Sequence, residues 1–267
     1  MIVVNIFGYV MAYIGRVFLG LISEIGKMGI FLFNTLAYSV LPPYRWKPLL
    51  RQIWFQGYMS LIVIFMTGSF AGMVLALQFY HTLKQFGADS MLGPAVALSL
   101  IRELGPVFTA LMVTGRAGSA ITSEIGIMRI SEQIDSLYVM ALNPYKYVIV
   151  PNFLAAILCF PLLTALFDVI GIYGGYFVGV KLLGVSGELY FEQMKSIVNM
   201  EDIAMGFYKS LCFAIIVIWI CCYKGFMVGT EFGGHGARAV SKATTDAVVM
   251  SSVTILIGDY IMGSFFI

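Results

Sequence analysis

Long apolar runs are the feature that most restricts how this sequence can fold. Four of them cover about residues 57–82, 92–122, 148–180 and 203–223, and a fifth, less uniformly apolar run covers about 240–266. Each run is long enough to cross the roughly 30 Å hydrocarbon core of a bilayer as an α-helix. Only 11% of the 267 residues are charged, whereas soluble domains carry about 25%. The sequence therefore predicts an all-α integral membrane protein with about five transmembrane helices.

The N-terminal 40 residues are apolar but interrupted at helical spacing. The interruptions recur every three or four residues, at Arg16, Gly20, Glu24 and Lys27. This pattern is typical of an amphipathic helix that lies in the membrane interface, and a spanning helix over residues 2–22 is the alternative. We expect an interfacial helix over 1–40 and a single transmembrane domain over 41–267.

Lysine and arginine residues are distributed unequally between the two sets of loops. The richer set contains Arg45, Lys47, Arg51, Arg129, Lys146, Lys224 and Arg238, with Lys242 close by. The opposite set contains Lys84, Lys181 and Lys195. Because basic residues concentrate on the cytoplasmic side, we expect segments 41–56, 123–147 and 224–239 to be cytoplasmic. Segment 181–202 and the C-terminus are expected on the other side.

Glycines recur at four-residue spacing in two of the predicted spans. One span contains Gly68 and Gly72, and another contains Gly171, Gly175 and Gly179. Small residues at this spacing let helix backbones approach closely. We expect packing between helices of one chain, and dimerisation through one such face is the alternative.

Four ionisable residues lie inside predicted spans, where a charge costs at least about 2.5–3.5 kcal/mol. They are Arg102, Glu103, Lys209 and Asp259. All four fall in the outer half of the bilayer at similar depths, and their charges sum to zero. We therefore expect a paired cluster, with Arg102 or Lys209 against Glu103 or Asp259. The cluster is interpreted as a charged wall of a transport cavity or a gate between helices, and structural stabilisation of the bundle is the alternative.

Asp168 is a fifth intramembrane ionisable residue, and no partner at a matching depth is evident in the sequence. A protonated or water-facing carboxyl group is as well supported as a functional site. The role of this residue is left open.

Motifs for nucleotide, metal or hydrolytic chemistry are missing from the sequence. The chain has no GxxxxGK(S/T), no HExxH and no GxSxG, and its four cysteines show no CxxC spacing. Its net charge of +2 is too small to indicate nucleic-acid binding. We therefore predict no catalytic residues, no metal site and no cofactor in this chain. If ATP energises its function, the ATPase must be another subunit.

The loop between the second and third spans mixes charged and apolar residues at helical spacing over 129–141. Gly126 precedes this segment, and Asn143 and Pro144 follow it. The pattern predicts a short cytoplasmic helix, which is either a surface element without function or a docking element for a partner.

A series of motifs across most of the chain resembles a known family. Residues 97–153 read ALSLIRELGPVFTALMVTGRAGSAITSEIGIMRISEQIDSLYVMALNPYKYVIVPNF, and further matches are PLLTALFDVIGIYGG (161–175), KSLCFAII (209–216) and SKATTDAVVMSS (241–252). The motifs RELGP, GRAGSA, EIG and EQID-to-NP occur in order, with the spacing of the family. From residue 57 onward the sequence resembles the MlaE (YrbE) permeases of ABC-type lipid transporters. The N-terminal 40 residues are similar to the family only in their general character, and none of the quoted motifs lies in them.

The resemblance implies a function and a set of partners. Two copies would form a homodimer in the bacterial inner membrane, and each would bind a cytoplasmic P-loop ATPase that carries ATP and Mg. A periplasmic lipid-binding protein of the MCE type would lie above the dimer. Phospholipid would move between the inner membrane and that partner, which supports the lipid asymmetry of the outer membrane.

Two other functions are weighed against this one. A proton-driven secondary transporter would use Glu103, Asp168 or Asp259 and would work without an ATPase. An intramembrane enzyme that acts on lipid has no visible catalytic residues to support it.

The resemblance also implies roles for individual residues. The coupling helix of the family corresponds to segment 129–141, where the residues predicted to contact the ATPase are Arg129, Glu132, Gln133, Asp135 and Leu137. The four clustered charges occupy positions where the family also places intramembrane charge, whereas Asp168 stands where an apolar residue is expected.

One apolar stripe lies on the first span, towards its outer end, and its members are Leu75, Phe79, Leu83 and Phe86. The ordinary interpretation of such a stripe is helix packing or contact with bulk lipid. The family's central cavity, which opens outward between two permeases, predicts that the stripe contacts lipid tails.

Overall fold

The computed structural model describes residues 2–40, 46–229 and 236–266, and within the first helix it describes the side chains of residues 15, 18–20 and 22–39. The described residues are helical apart from short turns, and they contain no strand. The α-helices are α1 (Ile2–Val40), α2 (Trp46–Gln56), α3 (Leu61–Gln85), α4 (Leu92–Ser99), α5 (Gly105–Val113), α6 (Ser119–Ile130), α7 (Gln133–Val139), α8 (Val150–Tyr176), α9 (Gly187–Ile197), α10 (Met200–Phe226) and α11 (Ala237–Phe266). The prediction of an all-α protein is confirmed.

Several helical stretches of the described chain are long and apolar enough to cross a membrane. They are Phe18–Ser39, Trp46–Gln85, Asp89–Ile130, Tyr145–Leu182, Met200–Phe226 and Ala237–Phe265. The last five correspond to the five predicted spans, with longer ends, so the chain is a multi-pass membrane protein. Arg45 and the side chain of Arg16, which the sequence arguments used, lie outside the described residues.

The second span is not one regular α-helix. Two π-helical turns, Leu100–Leu104 and Thr114–Gly118, separate α4, α5 and α6. The first turn ends where the N–H of Gly105 donates to the carbonyl of Leu100. Pro106 follows and has no N–H to continue the α-helical pattern. Such turns widen a helix locally, and they occur frequently at functional sites.

Helices α3 and α8 pack with their backbones in contact. A Cβ atom on Gly72 would overlap the backbone of Gly171, and one on Gly174 would overlap the carbonyl oxygen of Ser69. Gly175 lies in the same seam, and a Cβ atom placed on it would lie 3.4 Å from the carbonyl oxygen of Gly72. The repeated glycines therefore serve packing within one chain, as the sequence predicted.

The short helix α9 lies across the ends of the spans, and this end is called the α9 end below. Tyr190 anchors the helix, because its side chain is fully buried and its hydroxyl donates to the carbonyl of Ile172 at 3.2 Å. Burial raises the pKa of the Tyr190 hydroxyl, so the group stays a neutral donor. The backbone of Tyr190 also meets Gly93, which leaves no room for a larger residue there.

Helix α1 crosses the opposite end of the bundle, where α7 lies. Glu24 forms an ion pair with Lys224 near the end of α10. Fourteen residues later, the Tyr38 ring lies 5.9 Å from the ring of Tyr145 at the start of the third span. Tyr145 itself packs 5.6 Å from Phe226, so these partners lie at one level.

A spanning helix would change depth by about 21 Å over fourteen residues. The contacts of Glu24 and Tyr38 fit a helix at one level, whereas Phe18–Ser39 is long and apolar enough to span. The interfacial position of α1 therefore stays a prediction.

Candidate functional site

A buried lysine forms the centre of the candidate site. Lys209 of α10 has no exposed surface, and its Nζ lies 2.5 Å from Glu103 Oε2 and 2.9 Å from Asp259 Oδ1. Glu103 belongs to the first π-helical turn and Asp259 to α11, so the ammonium group joins three spans. Helix α10 reaches this position because Gly206 packs directly on the carbonyl oxygen of Ile101.

The cluster carries an excess of negative charge, since one ammonium group faces two carboxylates. Both carboxylates reach the surface of the single chain, with 44% of the Glu103 side chain and 22% of the Asp259 side chain exposed. The lysine is therefore fixed inside the protein, while its partners face open space on one side. This arrangement can bind or exclude charged groups, and it can couple the movements of the three spans.

Arg102 is not part of this cluster, which corrects the predicted four-residue pairing. Its guanidinium group pairs with Asp202 at the start of α10, with Nη2 at 2.5 Å and Nε at 2.7 Å from Oδ1. Consecutive residues on a helix point in different directions, so Arg102 and Glu103 cannot share a partner easily. Sequence reasoning had assigned Asp202 to a loop. The signal that could have found it is Asn199-x-x-Asp202, a capping pair whose carboxylate accepts the Asn199 N–H at 2.9 Å.

A polar cavity of about 420 Å³ connects the two ion pairs at the α9 end. Its walls carry side chains of both positive and negative charge. The lining residues are Arg102, Glu103, Glu201, Asp202, Ala204, Met205 and Tyr208. The Arg102 side chain is 47% exposed, so part of its guanidinium group remains open to a ligand. The cavity therefore offers donors and acceptors to a charged head group.

The predicted lipid-contacting stripe is only partly placed in an apolar groove. Leu75 lines a groove of about 520 Å³ between the first and second spans, but Phe79 and Leu83 pack against the core. Phe86 follows the end of α3 and is exposed. The groove is otherwise lined by Met66, Thr67, Phe70, Ala71, Val74, Leu104, Phe108 and Met112. The α3 residues of the groove are therefore centred about three turns further from the α9 end than the stripe, and lipid contact of the stripe stays a prediction.

Asp168 lies apart from the charged cluster, in a pocket of about 210 Å³ between α8 and α10. Its Oδ1 has no hydrogen-bond partner among the described residues, and neither has the hydroxyl of Thr164, one turn away in the same pocket. The buried hydroxyl of Thr109 is a third such group. Asp168 therefore remains without an assigned role.

The predicted coupling segment forms the short helix α7. It begins after Glu132, which adopts a left-handed backbone conformation, and Arg129 pairs with Asp135 at 2.5 Å. Glu132, Gln133 and Asp135 are exposed, as a contact surface requires.

Leu137 differs from this expectation, because it is buried beside Ile134 and holds α7 against the bundle. Tyr138 and Val139 are the exposed apolar residues of the helix, and the sequence analysis did not select them as contacts. Their angular position was the available signal, because Tyr138 lies about 100° and Val139 about 200° around the helix from Leu137.

Comparisons with known proteins agree with this geometry. Residues 49–265 match the family described as Permease MlaE. A Haemophilus influenzae protein described as intermembrane phospholipid transport system permease protein MlaE is 40% identical over 250 residues, which cover 93% of this chain and 94% of that protein. A Rickettsia bellii protein described as a probable ABC transporter permease protein is 40% identical, over 95% of this chain and 96% of its own length.

A more distant relative comes from a plant. The chloroplastic protein TRIGALACTOSYLDIACYLGLYCEROL 1 of Arabidopsis thaliana is 35% identical over 222 residues, which cover 83% of this chain and 62% of that protein. The family match over residues 49–265 includes the elements that carry Glu103, Lys209 and Asp259.

Proposed function

Because this chain belongs to the MlaE family of permeases, we propose that it is the permease subunit of an ATP-driven phospholipid transporter. The lipid moves between the bacterial inner membrane and a periplasmic MCE-type lipid-binding partner, and this movement maintains the lipid asymmetry of the outer membrane. The observation that carries the proposal is the near full-length similarity to a protein described as an intermembrane phospholipid transport permease.

The distribution of polar and apolar surface supports a lipid as the transported molecule. The polar cavity at the α9 end contains Arg102 and Glu103, and the apolar groove begins at the next residue, Leu104. From Leu104 the groove follows the second span through Phe108 to Met112, which is about 12 Å along a helix. A phospholipid needs this order, with donors and acceptors for the head group and an apolar surface for the tails.

The charged cluster supplies a means of movement within the proposed transporter. Lys209 joins the second, fourth and fifth spans through Glu103 and Asp259. A change in the relative position of these spans must break or exchange an ion pair. The spans therefore have two discrete arrangements, one with the present ion pairs and one with a pair broken or exchanged. We assign the cluster this gating role, and we assign Arg102 the contact with the phosphate of the head group.

The energy source is assigned to a separate subunit. The chain has no P-loop sequence, whereas α7 presents Tyr138 and Val139 beside the charged residues Glu132 and Asp135. We propose that this surface binds a P-loop ATPase that carries ATP and Mg. With the basic loops cytoplasmic, α7 faces the cytoplasm and the polar cavity faces the periplasm.

A second copy of the chain is assigned to the open side of the bundle. Helix α11 carries Asp259 and exposes several large apolar side chains, which are Val249, Val253, Leu256, Ile257, Tyr260, Ile261 and Phe265. We propose that two chains form a homodimer, in which the exposed sides of Glu103 and Asp259 face a shared central cavity.

Co-purification from native membranes tests this function. The tagged chain is extracted in mild detergent from separated inner and outer membranes, and bound proteins and lipids are identified by mass spectrometry. We expect the chain in the inner membrane, together with a P-loop ATPase, an MCE-domain protein and phospholipid. A chain that purifies alone, and whose transport follows a pH gradient and ignores nucleotide, would contradict the proposal and favour a proton-driven transporter.

A further inference from the structure

A second charged pocket lies at the α7 end of the bundle, far from the polar cavity described above. It has a volume of about 400 Å³ and is enclosed by α2, the end of α6 and the start of the third span. Its lining residues are Lys47, Pro48, Arg51, Gln52, Glu124, Ile125, Met128, Tyr147, Val148, Pro151 and Asn152. No part of the proposed transport path uses this pocket.

The pocket contains charged groups of both signs whose charges are not neutralised within the described chain. Lys47 and Arg51 are one helical turn apart on α2, and Glu124 lies across from them on α6. No ion pair joins any of these three residues to another described residue. A ligand that carries both a negative and a positive group would match this arrangement.

Gln52 adds a hydrogen-bond acceptor that lacks a donor. Its Oε1 is buried in the pocket wall and has no hydrogen-bond partner among the described residues. The neighbouring amide of Asn152 is already engaged, because it donates to the Val148 carbonyl at 2.9 Å and accepts from Gln56 at 3.4 Å. A buried polar atom without a partner is uncommon in folded proteins, so Gln52 indicates that the ligand donates hydrogen bonds.

The surface of α2 beside the pocket is suited to lipid. Trp46, Leu50 and Trp54 form an exposed stripe next to the basic stripe of Lys47 and Arg51. Trp54 also stacks on Tyr58, with ring centroids 4.0 Å apart. Tryptophan and tyrosine concentrate at the membrane interface, and a basic stripe beside an apolar one is typical of helices that bind lipid head groups there.

We propose that this pocket binds the head group of a phosphatidylethanolamine-type phospholipid from the cytoplasmic leaflet. Lys47 and Arg51 bind the phosphate, and Glu124 together with the Gln52 carbonyl oxygen accepts hydrogen bonds from the ammonium group. The acyl chains lie along Trp46, Leu50 and Trp54. The inference uses the orientation proposed above, but it does not depend on transport.

The chemistry distinguishes this head group from choline and glycerol head groups. A choline head group carries a positive charge but has no N–H to donate to Gln52. A glycerol head group has hydroxyl donors but leaves the charge of Glu124 without a counterion. The ammonium group of ethanolamine satisfies both requirements.

Photolabelling tests the proposal on the full-length chain in liposomes, without ATP or any partner. The probe is a phosphatidylethanolamine with a photoreactive group near its phosphate, and labelled peptides are mapped by mass spectrometry. We expect labelling of residues 46–52 and 147–152, with competition by unlabelled phosphatidylethanolamine and little competition by phosphatidylcholine. Labelling distributed evenly along the spans would overturn the proposal.

Variants locate the contacts within the pocket. The double substitution Lys47→Gln and Arg51→Gln should lower the labelling at least tenfold, because the loss of a single charge-assisted hydrogen bond already corresponds to about tenfold in affinity. Glu124→Gln should remove the advantage of ethanolamine over choline in competition. The matched control is Arg238→Gln, an exposed basic residue of the same end that does not line the pocket. Equal labelling of the double variant and the control would contradict the proposal.

The same labelling is measured on the complex purified from native membranes. Labelling that persists there supports a lipid site, whereas labelling that disappears would show that a protein partner covers this surface and would overturn the proposal. Because the experiment contains no transport step, failure of lipid transfer leaves its result unchanged, and failure of labelling leaves the proposed transport function unchanged.

Discussion

The ammonium group of Lys209 belongs to the most deeply buried charged residue in the part of the chain that the structure describes. It is fully buried, and it forms ion pairs with two carboxylates from two other spans. Burial of a charge is costly unless its partners are well placed. The cluster therefore contributes to stability only while all three groups are present.

Replacement of this lysine tests the cluster. Lys209→Ala leaves Glu103 and Asp259 facing each other without a cation, and we expect a loss of about 3 kcal/mol, the lower end of the range for a broken buried pair, because both carboxylates are partly exposed. The thermal midpoint in detergent should fall, and lipid transfer should be lost. The double variant Lys209→Ala with Asp259→Ala should recover part of the stability. Unchanged folding and transfer in Lys209→Ala and Asp259→Ala would refute the cluster.

For Asp168 we expect the opposite of the result for Lys209, because removal of its carboxyl group should stabilise the protein. Its Oδ1 and the Thr164 hydroxyl have no partners among the described residues, and an unsatisfied buried polar group costs about 1–3 kcal/mol. Asp168→Val should therefore raise the thermal midpoint and leave lipid transfer intact, whereas Asp168→Asn keeps a polar group there and should not. A lower midpoint for Asp168→Val would show that the carboxyl group has a stabilising partner.

Sequence reasoning found single charges better than it found their partners. Lys209, Glu103 and Asp259 stood out because each interrupts an apolar run, and matched depths brought them into one group. Arg102 was placed in the same group because depth along a span does not show which way a side chain points. Its actual partner, Asp202, looked like a loop residue because it lies at the first turn of α10.

Helix α7 is the element on which coupling to an ATPase depends in our proposal. Its inner face carries Ile134 and Leu137, and its outer face carries Tyr138 and Val139. Val139→Asp should weaken co-purification of the ATPase and leave the thermal midpoint of the chain unchanged, because this side chain has few contacts to lose. Leu137→Asp is the matched comparison and should lower the midpoint, because a charge replaces a buried side chain. Equal effects of the two variants on folding would contradict this division of faces.

The seam between α3 and α8 depends on the absence of side chains. Gly72→Val places atoms where the Gly171 backbone lies, and overpacking of this kind costs about 1–3 kcal/mol. We expect a lower thermal midpoint and poorer membrane yield. Gly115→Ala is the control, because a Cβ atom at Gly115 meets nothing within 4 Å. If Gly72→Val were as stable as the control, the two helices would not pack as described.

The elements were predictable to different degrees. Hydropathy located the five spans, and the four-residue glycine spacing indicated close packing between helices of one chain without showing which helices pair. The π-helical turns were not predictable, since Pro106 marks a break in hydrogen bonding without showing how the chain accommodates it. Spacing alone could not locate the apolar groove, because apolar residues occur on every face of α3, and of the predicted stripe only Leu75 lines it.

In the proposed transporter, three tasks are separated along the membrane normal. The α9 end contains the polar cavity with Arg102 and Glu103, the middle contains the apolar groove, and the α7 end carries the proposed coupling surface. Lys209 joins the second, fourth and fifth spans through its ion pairs with Glu103 and Asp259. In the proposed transporter, movement at α7 reaches the cavity through the second span, which carries the π-helical turns Leu100–Leu104 and Thr114–Gly118 and leads directly into α7.

Reconstituted lipid transfer is the most direct test of the central claim. The chain, the co-purifying ATPase and the MCE-domain protein are placed in proteoliposomes, and movement of a fluorescent phospholipid between the membrane and the MCE-domain protein is followed. We predict transfer that requires ATP hydrolysis, persists when an ionophore removes the pH gradient, and is lost in Lys209→Ala. Transfer that continues without the ATPase and stops when the pH gradient is removed would contradict the account.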